Sequence, residues 1–388
     1  MKVAFYSTYI LEYGGGFEKY LIETASYLTN ELGVAADIIT MDDAFMSRRT
    51  DMYSAFYMKK MDKKANYKED IANIRARLGE ANYYKVANYK QLRKKLQDYD
   101  VVYTKNELVE SFIFKFIVGY KNIPPVVFGG HTPLMYPNPE SFHAKLHNFL
   151  YSSWLYKYMA GPARRFHAIN AFEANLYQQL FPKREVFKIF NPFDIARFKQ
   201  GLELTDRPVT DDAISIMWVG RLTEQKGVKD LVEIVRNVNK ELQGSVPVIW
   251  NIFGDGEERQ LVEDLAAECD NVRYHGHVDQ KKMAQSYKQQ QLFLSTSKWE
   301  GYPYTLIEMQ AFGLQGFAYN IPGPSDIFQA YEGGHIAKTK PEMIQMLVTA
   351  LRDYKTAHGV PKSQASDQFE PQNIYSQLRT MLDMGEQS

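Results

Sequence analysis

The sequence predicts an α/β protein built from two doubly wound, parallel-sheet domains facing each other across a cleft. Three observations carry this. Short apolar, β-rich runs alternate with longer amphipathic ones, the pattern of strand–helix units in a parallel sheet. The alternation is interrupted once, over the polar, Pro-containing stretch NPFDIARFKQGLELTDRPVTDD (191–212), and then restarts. At 388 residues the chain suits two to three units of about 150 residues each.

KVAFYST reads as the first strand, followed by three glycines and a helix from about Phe17 to Leu32, with Tyr20, Leu21, Thr24 and Leu28 at helical spacing. ADIITM is a second strand, and DVVYT, PPVVFGG and RFHAIN continue the series. After the interruption, SIMWVG is a strand, VKDLVEIVRNVNKEL a helix, PVIWNIFG a strand and EERQLVEDLAAEC a helix. VRYHGHV, QLFLSTS and GFAYNI complete the second set. The expected division is residues 1–192, residues 212–365, and a terminal segment 366–388 whose helix near PQNIYSQLRTMLDM crosses back onto the first domain.

Composition narrows the function classes. A 45% apolar and 24% charged chain is ordinary globular material, and zero formal net charge gives no bulk electrostatic case for nucleic acid. The single cysteine, Cys269, allows no internal disulfide and fits a reducing compartment. The N-terminal apolar run carries Tyr6, Ser7, Thr8 and Tyr9, meets Glu12 and shows no small-residue cleavage site, so it reads as a buried strand rather than a signal peptide. LVESFIFKFIVGY is short for a membrane span and holds Glu110 and Lys115. The expectation is a cytoplasmic protein.

In this architecture ligands bind beyond the carboxyl ends of the strands, so the residues just after strands are the informative ones. Gly14, Gly15 and Gly16 follow the first strand and open the first helix; they form either a flexible turn or a place where an anionic or sugar ligand approaches bare backbone. GRLTEQKG (220–227) follows the first strand of the second set. Arg221 and Lys226 there are either solvated charge or a pair of cations clamping a diphosphate. IFGDGEE repeats the loop with Gly254 and Gly256, and Asp255 in it reads as a helix N-cap rather than a metal ligand. In WEGYPYTLIE, Glu300 and Glu308 stand eight apart across a Gly-Pro turn that starts a helix near Tyr304. Backbone N–H groups of Tyr304 and Thr305 would point at a ligand, and Glu308 could accept two hydrogen bonds from a vicinal diol such as a ribose. The competing reading is a capping box between Thr305 and Glu308, which leaves Glu300, Gly301 and Pro303 without a role. No His/Asp cluster has metal-ligand spacing.

GRLTEQKG, FGDGEE, VRYHGHV and KWEGYPYTLIEMQAFG, in that order and spacing, resemble the nucleotide-sugar half of family-4 glycosyltransferases of the GT-B fold, whose E-x7-E pattern matches Glu300 and Glu308. The likeness covers most of residues 213–330. It is looser in the first half, where it rests on the Gly-rich loop, DVVYT, FGGHT around His131, and HAIN. The resemblance implies a retaining, metal-independent transfer of a sugar from a nucleoside diphosphate donor, UDP favoured, to a glycan or lipid-linked acceptor in cell-envelope polysaccharide or glycolipid synthesis, with no cofactor. Arg221 and Lys226 would bind the diphosphate, Glu308 the ribose, and the backbone at His277 and Val278 would border the base. Gly254 would lie in the donor site; Glu300 and the amides after Gly301, including Tyr304 and Thr305, would address the donor sugar. His131 would touch the sugar near the reacting centre, and Gly15 and Gly16 would approach the diphosphate from the first domain. The sequence departs from the family at Thr132, where an Asp is usual, and at Gln315–Gly316, where Pro-Val is usual. A nucleotide-sugar epimerase on a similar scaffold and a non-catalytic nucleotide-sugar-binding protein are the rival readings; Arg221, Lys226, Glu300 and Glu308, all intact, speak against the second.

Met58 to Lys95 holds twelve Lys or Arg against four acids, interleaved with tyrosines. It reads either as a solvated helical face or as a contact with an anionic membrane or a negatively charged acceptor.

Overall fold

The computed structural model describes residues 1–13, 16–42, 44–45, 70–131, 133–136, 139, 142–200, 202, 213–356 and 367–383. The chain divides into two compact units, Met1–Asn191 with Ile374–Ser388, and Pro192–Asn373.

In the first unit β1 (Lys2–Ser7), β2 (Ala35–Met41), β3 (Tyr83–Val86), β4 (Val101–Lys105), β5 (Val126–Gly130), β6 (Arg165–Ala168) and β7 (Glu185–Lys188) form one sheet in the order β3-β2-β1-β4-β5-β6-β7. Every pairing is parallel. The order reverses between β1 and β4, the switch point of a doubly wound sheet. β4, β5 and β6 are buried along their whole length, with the apolar cores VVY, VVF and Phe166 and with Lys105, Arg165 and His167 buried among them. The first helix runs Gly16–Asn30, two residues shorter at its end than its periodicity predicts. Tyr375 of the helix Pro371–Met381 stacks on Tyr27 with ring centroids 4.0 Å apart, and Arg165 Nη1 donates to the Met381 carbonyl at 2.7 Å.

In the second unit β8 (Ile214–Val219), β9 (Val248–Phe253), β10 (Val272–Gly276), β11 (Leu292–Leu294), β12 (Gln315–Tyr319) and β13 (Gly334–Ala337) form a parallel sheet in the order β10-β9-β8-β11-β12-β13. The helix Val228–Leu242 buries Val228, Leu231, Val235, Val238 and Leu242, one stripe at i, i+3, i+7 spacing. Burying such a side chain contributes about 1.5–3 kcal/mol.

Three strands, β3, β7 and β13, escape the sequence reading. The stretch 191–212 is not irregular throughout: Ile195–Phe198 is a short helix whose cap Asp194 accepts from the Arg197 N–H at 2.7 Å. Phe198 packs edge-on against Tyr287 and Phe312 in the second unit. Among the described residues no helix is long and apolar enough to cross a membrane.

Candidate functional site

The second sheet reverses its strand order between β8 and β11, and in a doubly wound sheet ligands bind outside the carboxyl ends of the strands at such a switch point. GRLTEQKG leaves β8 and STSKWEGYP leaves β11. Gly227 has φ +67°, and a Cβ on it would lie 2.0 Å from the Thr296 carbonyl oxygen, so only glycine permits the two loops to come this close. Thr296 Oγ1 donates to the Lys226 carbonyl at 2.8 Å and accepts from Trp218 Nε1 at 2.9 Å. The Lys298 N–H donates to the Gln225 carbonyl at 2.9 Å, and Gln225 Nε2 to the Trp299 carbonyl at 3.2 Å.

This zipper brings Lys226 Nζ into an ion pair with Glu300 Oε1, which also accepts from Ser297 Oγ at 2.8 Å. The Lys226 and Glu300 side chains keep only 17% and 9% of their exposure. Arg221 lies in the same loop, is exposed, and has no ion-pair partner among the described residues. The sequence placed Lys226 in one loop and Glu300 in another; their pairing at the switch point is a finding of the structure.

Around this pair the other strand ends form a shelf. Gly254 has φ +133° and a Cβ there would lie 1.8 Å from the Gly220 carbonyl oxygen. Its N–H donates to the Gly276 carbonyl at 2.8 Å. Gly254 is therefore required by the packing of the loops after β8, β9 and β10. His277 and Val278 follow β10 directly, His277 exposed. Asp255 is not a helix cap: its side chain accepts from the Gly256 N–H at 2.8 Å, and the next helix starts four residues later, at Arg259.

The helix Tyr304–Ala311 begins where the sequence predicts, with Pro303 in the cap position and no side-chain cap bond. Thr305 is thus the second helical residue, not the cap, and a capping box with Glu308 is excluded by position. Glu308 instead accepts from the Tyr287 hydroxyl at 2.8 Å. Tyr287 is fully buried and stacks on Phe312 with rings 3° from parallel. Desolvation and the adjacent Glu308 carboxylate push the Tyr287 hydroxyl well above the ordinary tyrosine value, so it donates throughout the working pH range. Gly301 approaches Gly323, whose Cβ would lie 2.9 Å from the Gly301 carbonyl oxygen.

In the first unit His131 follows β5 and its Nε2 lies 2.7 Å from the Tyr103 hydroxyl. That hydroxyl lies 2.6 Å from His167 Nδ1, and His167 Nε2 lies 2.7 Å from the Ile189 carbonyl. Tyr20 and Phe17 pack on the His131 ring at centroid distances of 4.3 and 4.9 Å. Burial, reinforced by His167, holds the His131 imidazole well below the ordinary histidine value, and burial pulls His167 down to about 4. A Cβ on Gly129 would sit 2.0 Å from the Tyr103 hydroxyl oxygen, which accounts for the first glycine of FGGH. Tyr103 and His167 both stand in stretches quoted from the sequence, DVVYT and HAIN, yet no spacing links them. Only the pairing of β4 with β5 and of β5 with β6 does. Gly16 opens the first helix; Gly15 lies outside the described residues.

At the first sheet's switch point Thr8 Oγ1 donates to the buried Glu110 carboxylate at 2.6 Å, and Lys105 Nζ lies 3.7 Å from it. Nothing in the sequence pattern singles out this cluster.

Comparison with known proteins gives a family match over most of the second unit. Residues 205–362 match the family model described as "Glycosyl transferases group 1". The "UDP-N-acetylglucosamine--peptide N-acetylglucosaminyltransferase GtfA subunit" of Streptococcus agalactiae is 28% identical over 147 residues, covering 37% of this chain and 28% of that protein. The "Amylovoran biosynthesis glycosyltransferase AmsD" of Erwinia amylovora is 28% identical over 181 residues, 44% of this chain and 47% of that protein. The matches thus span less than half the length of these relatives. A solved structure, "lipopolysaccharide outer core galactosyltransferase WaaB apo form", superposes with a TM-score of 0.68 at 17% identity, over 99% of this chain and 100% of that one. Its likeness shows the GT-B fold: two parallel-sheet, Rossmann-like domains.

Proposed function

We propose that this chain is a retaining, metal-independent glycosyltransferase that moves a sugar from a nucleoside diphosphate donor, UDP favoured, to a glycan or lipid-linked acceptor in cytoplasmic assembly of envelope polysaccharide or glycolipid. The observation that carries this reading is the placement of Arg221, Lys226 and Glu300 at the switch-point crevice of a group 1 glycosyl transferase domain.

The bond from the anomeric carbon to the diphosphate breaks as the acceptor oxygen bonds to that carbon on the same face. The acceptor proton leaves with the released nucleoside diphosphate. Negative charge grows on the leaving oxygens, and Arg221 and Lys226 neutralise it in a partly desolvated crevice, the role a metal has in other transferases. Lys226 spans two subsites, since its partner Glu300, with the amides after Gly301 at Tyr304 and Thr305, faces the donor sugar. Glu308, held by Tyr287, accepts from the ribose hydroxyls. The backbone at His277 and Val278 borders the base on the shelf that Gly254 shapes. From the first unit, His131 addresses the sugar near the reacting centre, and Gly15 and Gly16 approach the diphosphate.

The basic stretch 58–95 belongs to the acceptor side of this reading, as a contact for a negatively charged acceptor or surface. Residues 58–69 lie outside the described residues. In the remainder Lys85 pairs with Glu12, Arg93 donates to the Ile117 carbonyl, and Lys95 sits over the Tyr84 ring, so these cations are already engaged.

A panel of nucleotide sugars tests the proposal by release of nucleotide, with and without glycan and lipid-linked acceptors. Release that depends on an added acceptor is expected for one donor. Isomerisation of the sugar without an acceptor would indicate an epimerase, and release that ignores the acceptor would indicate hydrolysis; either would overturn it.

A further inference from the structure

Helices of a globular protein normally bury their apolar side and expose their polar one. The helix Phe142–Ser152 buries one ring, Tyr151, and otherwise turns its large apolar side chains outward. Its inward face carries His147, whose Nε2 lies 3.1 Å from the Leu134 carbonyl, and Asn148, whose side chain exchanges hydrogen bonds with the Tyr136 backbone at 2.8 and 2.9 Å. Its outward face carries Phe142, Leu146 and Phe149, spaced four and three apart. Phe142 is 75% exposed and Phe149 69%.

The patch continues beyond this helix. Trp154 opens the next one, Trp154–Ala160, and is 76% exposed. Phe116 stands 5.0 Å from Phe112 and 6.3 Å from Tyr158, ring to ring. Apart from Met1, every large apolar side chain exposed among the described residues lies between Phe112 and Phe116 or between Phe142 and Tyr158. Scattered exposed apolar residues need no explanation, but a contiguous set does.

Charge selects the occupant. The segments Ile113–Val118, Phe142–Ser152 and Trp154–Ala160 contain Lys115, Lys145 and Lys157 and no Asp or Glu. Lys115 Nζ lies 3.8 Å from the Tyr158 ring centroid. A protein interface surrounds its apolar centre with a mixed polar rim and is depleted in lysine. Rings interleaved with lysines of one sign match the boundary between acyl chains and anionic headgroups, where lysine stems lie along apolar surface with their ammonium ends in the headgroup layer. We infer that this face of the first unit, formed by the helices Phe142–Ser152 and Trp154–Ala160 with residues 112–116, docks on an anionic phospholipid surface, at a place separate from the basic stretch 58–95. The inference does not depend on the transfer chemistry.

The full chain is sedimented with phosphatidylcholine vesicles and with vesicles of phosphatidylcholine and phosphatidylglycerol in equal amounts. Binding to the mixed vesicles is expected, falling with added salt. Phe142→Ser, Phe149→Ser and Trp154→Ser should each lower the partition coefficient about tenfold. Lys115→Gln, Lys145→Gln and Lys157→Gln should each lower it about fivefold. All of these side chains but the half-buried Lys115 are exposed, so unchanged melting temperatures certify the variants, and the lysine series stands independently if an aromatic variant fails to fold. Vesicles should shift tryptophan emission to the blue, and Trp154→Phe should abolish most of the shift while keeping binding. Absence of binding to mixed vesicles at low salt overturns the proposal, as does binding that the substitutions leave unchanged. Self-association lost in the Ser variants, without vesicle binding, would assign the face to a second copy of the chain instead. No nucleotide sugar enters these measurements, so their failure leaves the transfer reading standing.

Discussion

Lys226→Ala and Arg221→Ala should behave differently, although both remove a cation from one loop. Lys226 is paired with Glu300, and both side chains are largely covered. Removing one partner of a fully buried pair costs about 3–5 kcal/mol; the residual exposure here and the Ser297 hydroxyl on Glu300 reduce that to about 2 kcal/mol. Lys226→Ala should therefore lower the urea midpoint as well as activity. Arg221 is exposed and unpaired among the described residues, so Arg221→Ala should change stability by less than about 0.5 kcal/mol. For transfer, losing either cation removes about 2–4 kcal/mol of leaving-group stabilisation, a fall of about 30- to 1,000-fold in kcat/KM. The double variant Lys226→Met with Glu300→Gln removes both charges, and should recover most of the stability while transfer stays lost. Urea denaturation and steady-state kinetics on the four proteins separate the two effects. Near-normal kcat/KM in both single variants would refute the clamp. A double variant no more stable than Lys226→Ala would refute the energetic account of the ion pair.

Glu308→Gln keeps one acceptor oxygen and should weaken donor binding in calorimetry while the fold survives; unchanged affinity would remove the ribose role. Tyr287→Phe should reproduce part of that loss, because a hydrogen bond to a charged group contributes about 1.5–3 kcal/mol. Activity should withstand EDTA, and strict dependence on added Mn2+ or Mg2+ would demand a metal site. Two buried groups should impose opposing pH dependences on stability. His167 stays neutral in the fold down to about 4, whereas an unfolded histidine titrates near 6.5, so the unfolded chain takes up this proton first as pH falls. That costs up to about 3 kcal/mol between pH 6.5 and 4. Desolvation pushes the Glu173 carboxyl up to about 8, so the unfolded chain loses that proton first as pH rises from about 4.5, and stability declines toward pH 8. Glu173→Gln should flatten the alkaline side of urea midpoints measured from pH 4 to 8; an unaltered slope would refute the assignment.

The parts of the fold legible in the sequence are those buried over most of their length. β4 and β5 are buried on both faces and start with the apolar triplets VVY and VVF, while the buried β6 is short and carries Arg165 and His167. β3, β7 and β13 are four-residue strands at sheet edges, with sequences YYKV, EVFK and GHIA. Half of each faces no neighbour, so nothing forces an apolar run, and Tyr83–Val86 disappears into the charge pattern around it. The same limit holds at the site. Glycines 227 and 254 are visible as letters, but the carbonyls they make room for, those of Thr296 and Gly220, are 69 and 34 residues away in sequence. Tyr287 lies in a polar helix that gives no hint of Glu308 above its hydroxyl. Asp255 and Thr305 have the right residue type for caps and fail because the helices begin elsewhere, and helix ends are set by tertiary packing as much as by local preference.

The string from His131 through Tyr103 and His167 ends on the Ile189 carbonyl, and that terminus fixes its polarity. A backbone carbonyl only accepts, so His167 must carry its proton on Nε2 and leave Nδ1 bare. Tyr103 then spends its one proton on His167 and offers its oxygen to His131, whose own proton is thereby held on Nε2. With the imidazole kept neutral by burial, the atom left to meet anything outside is an Nδ1 lone pair. A residue chosen by type alone could have presented a donor, an acceptor or a positive charge. This one is wired as an acceptor by a peptide group 58 residues along the chain.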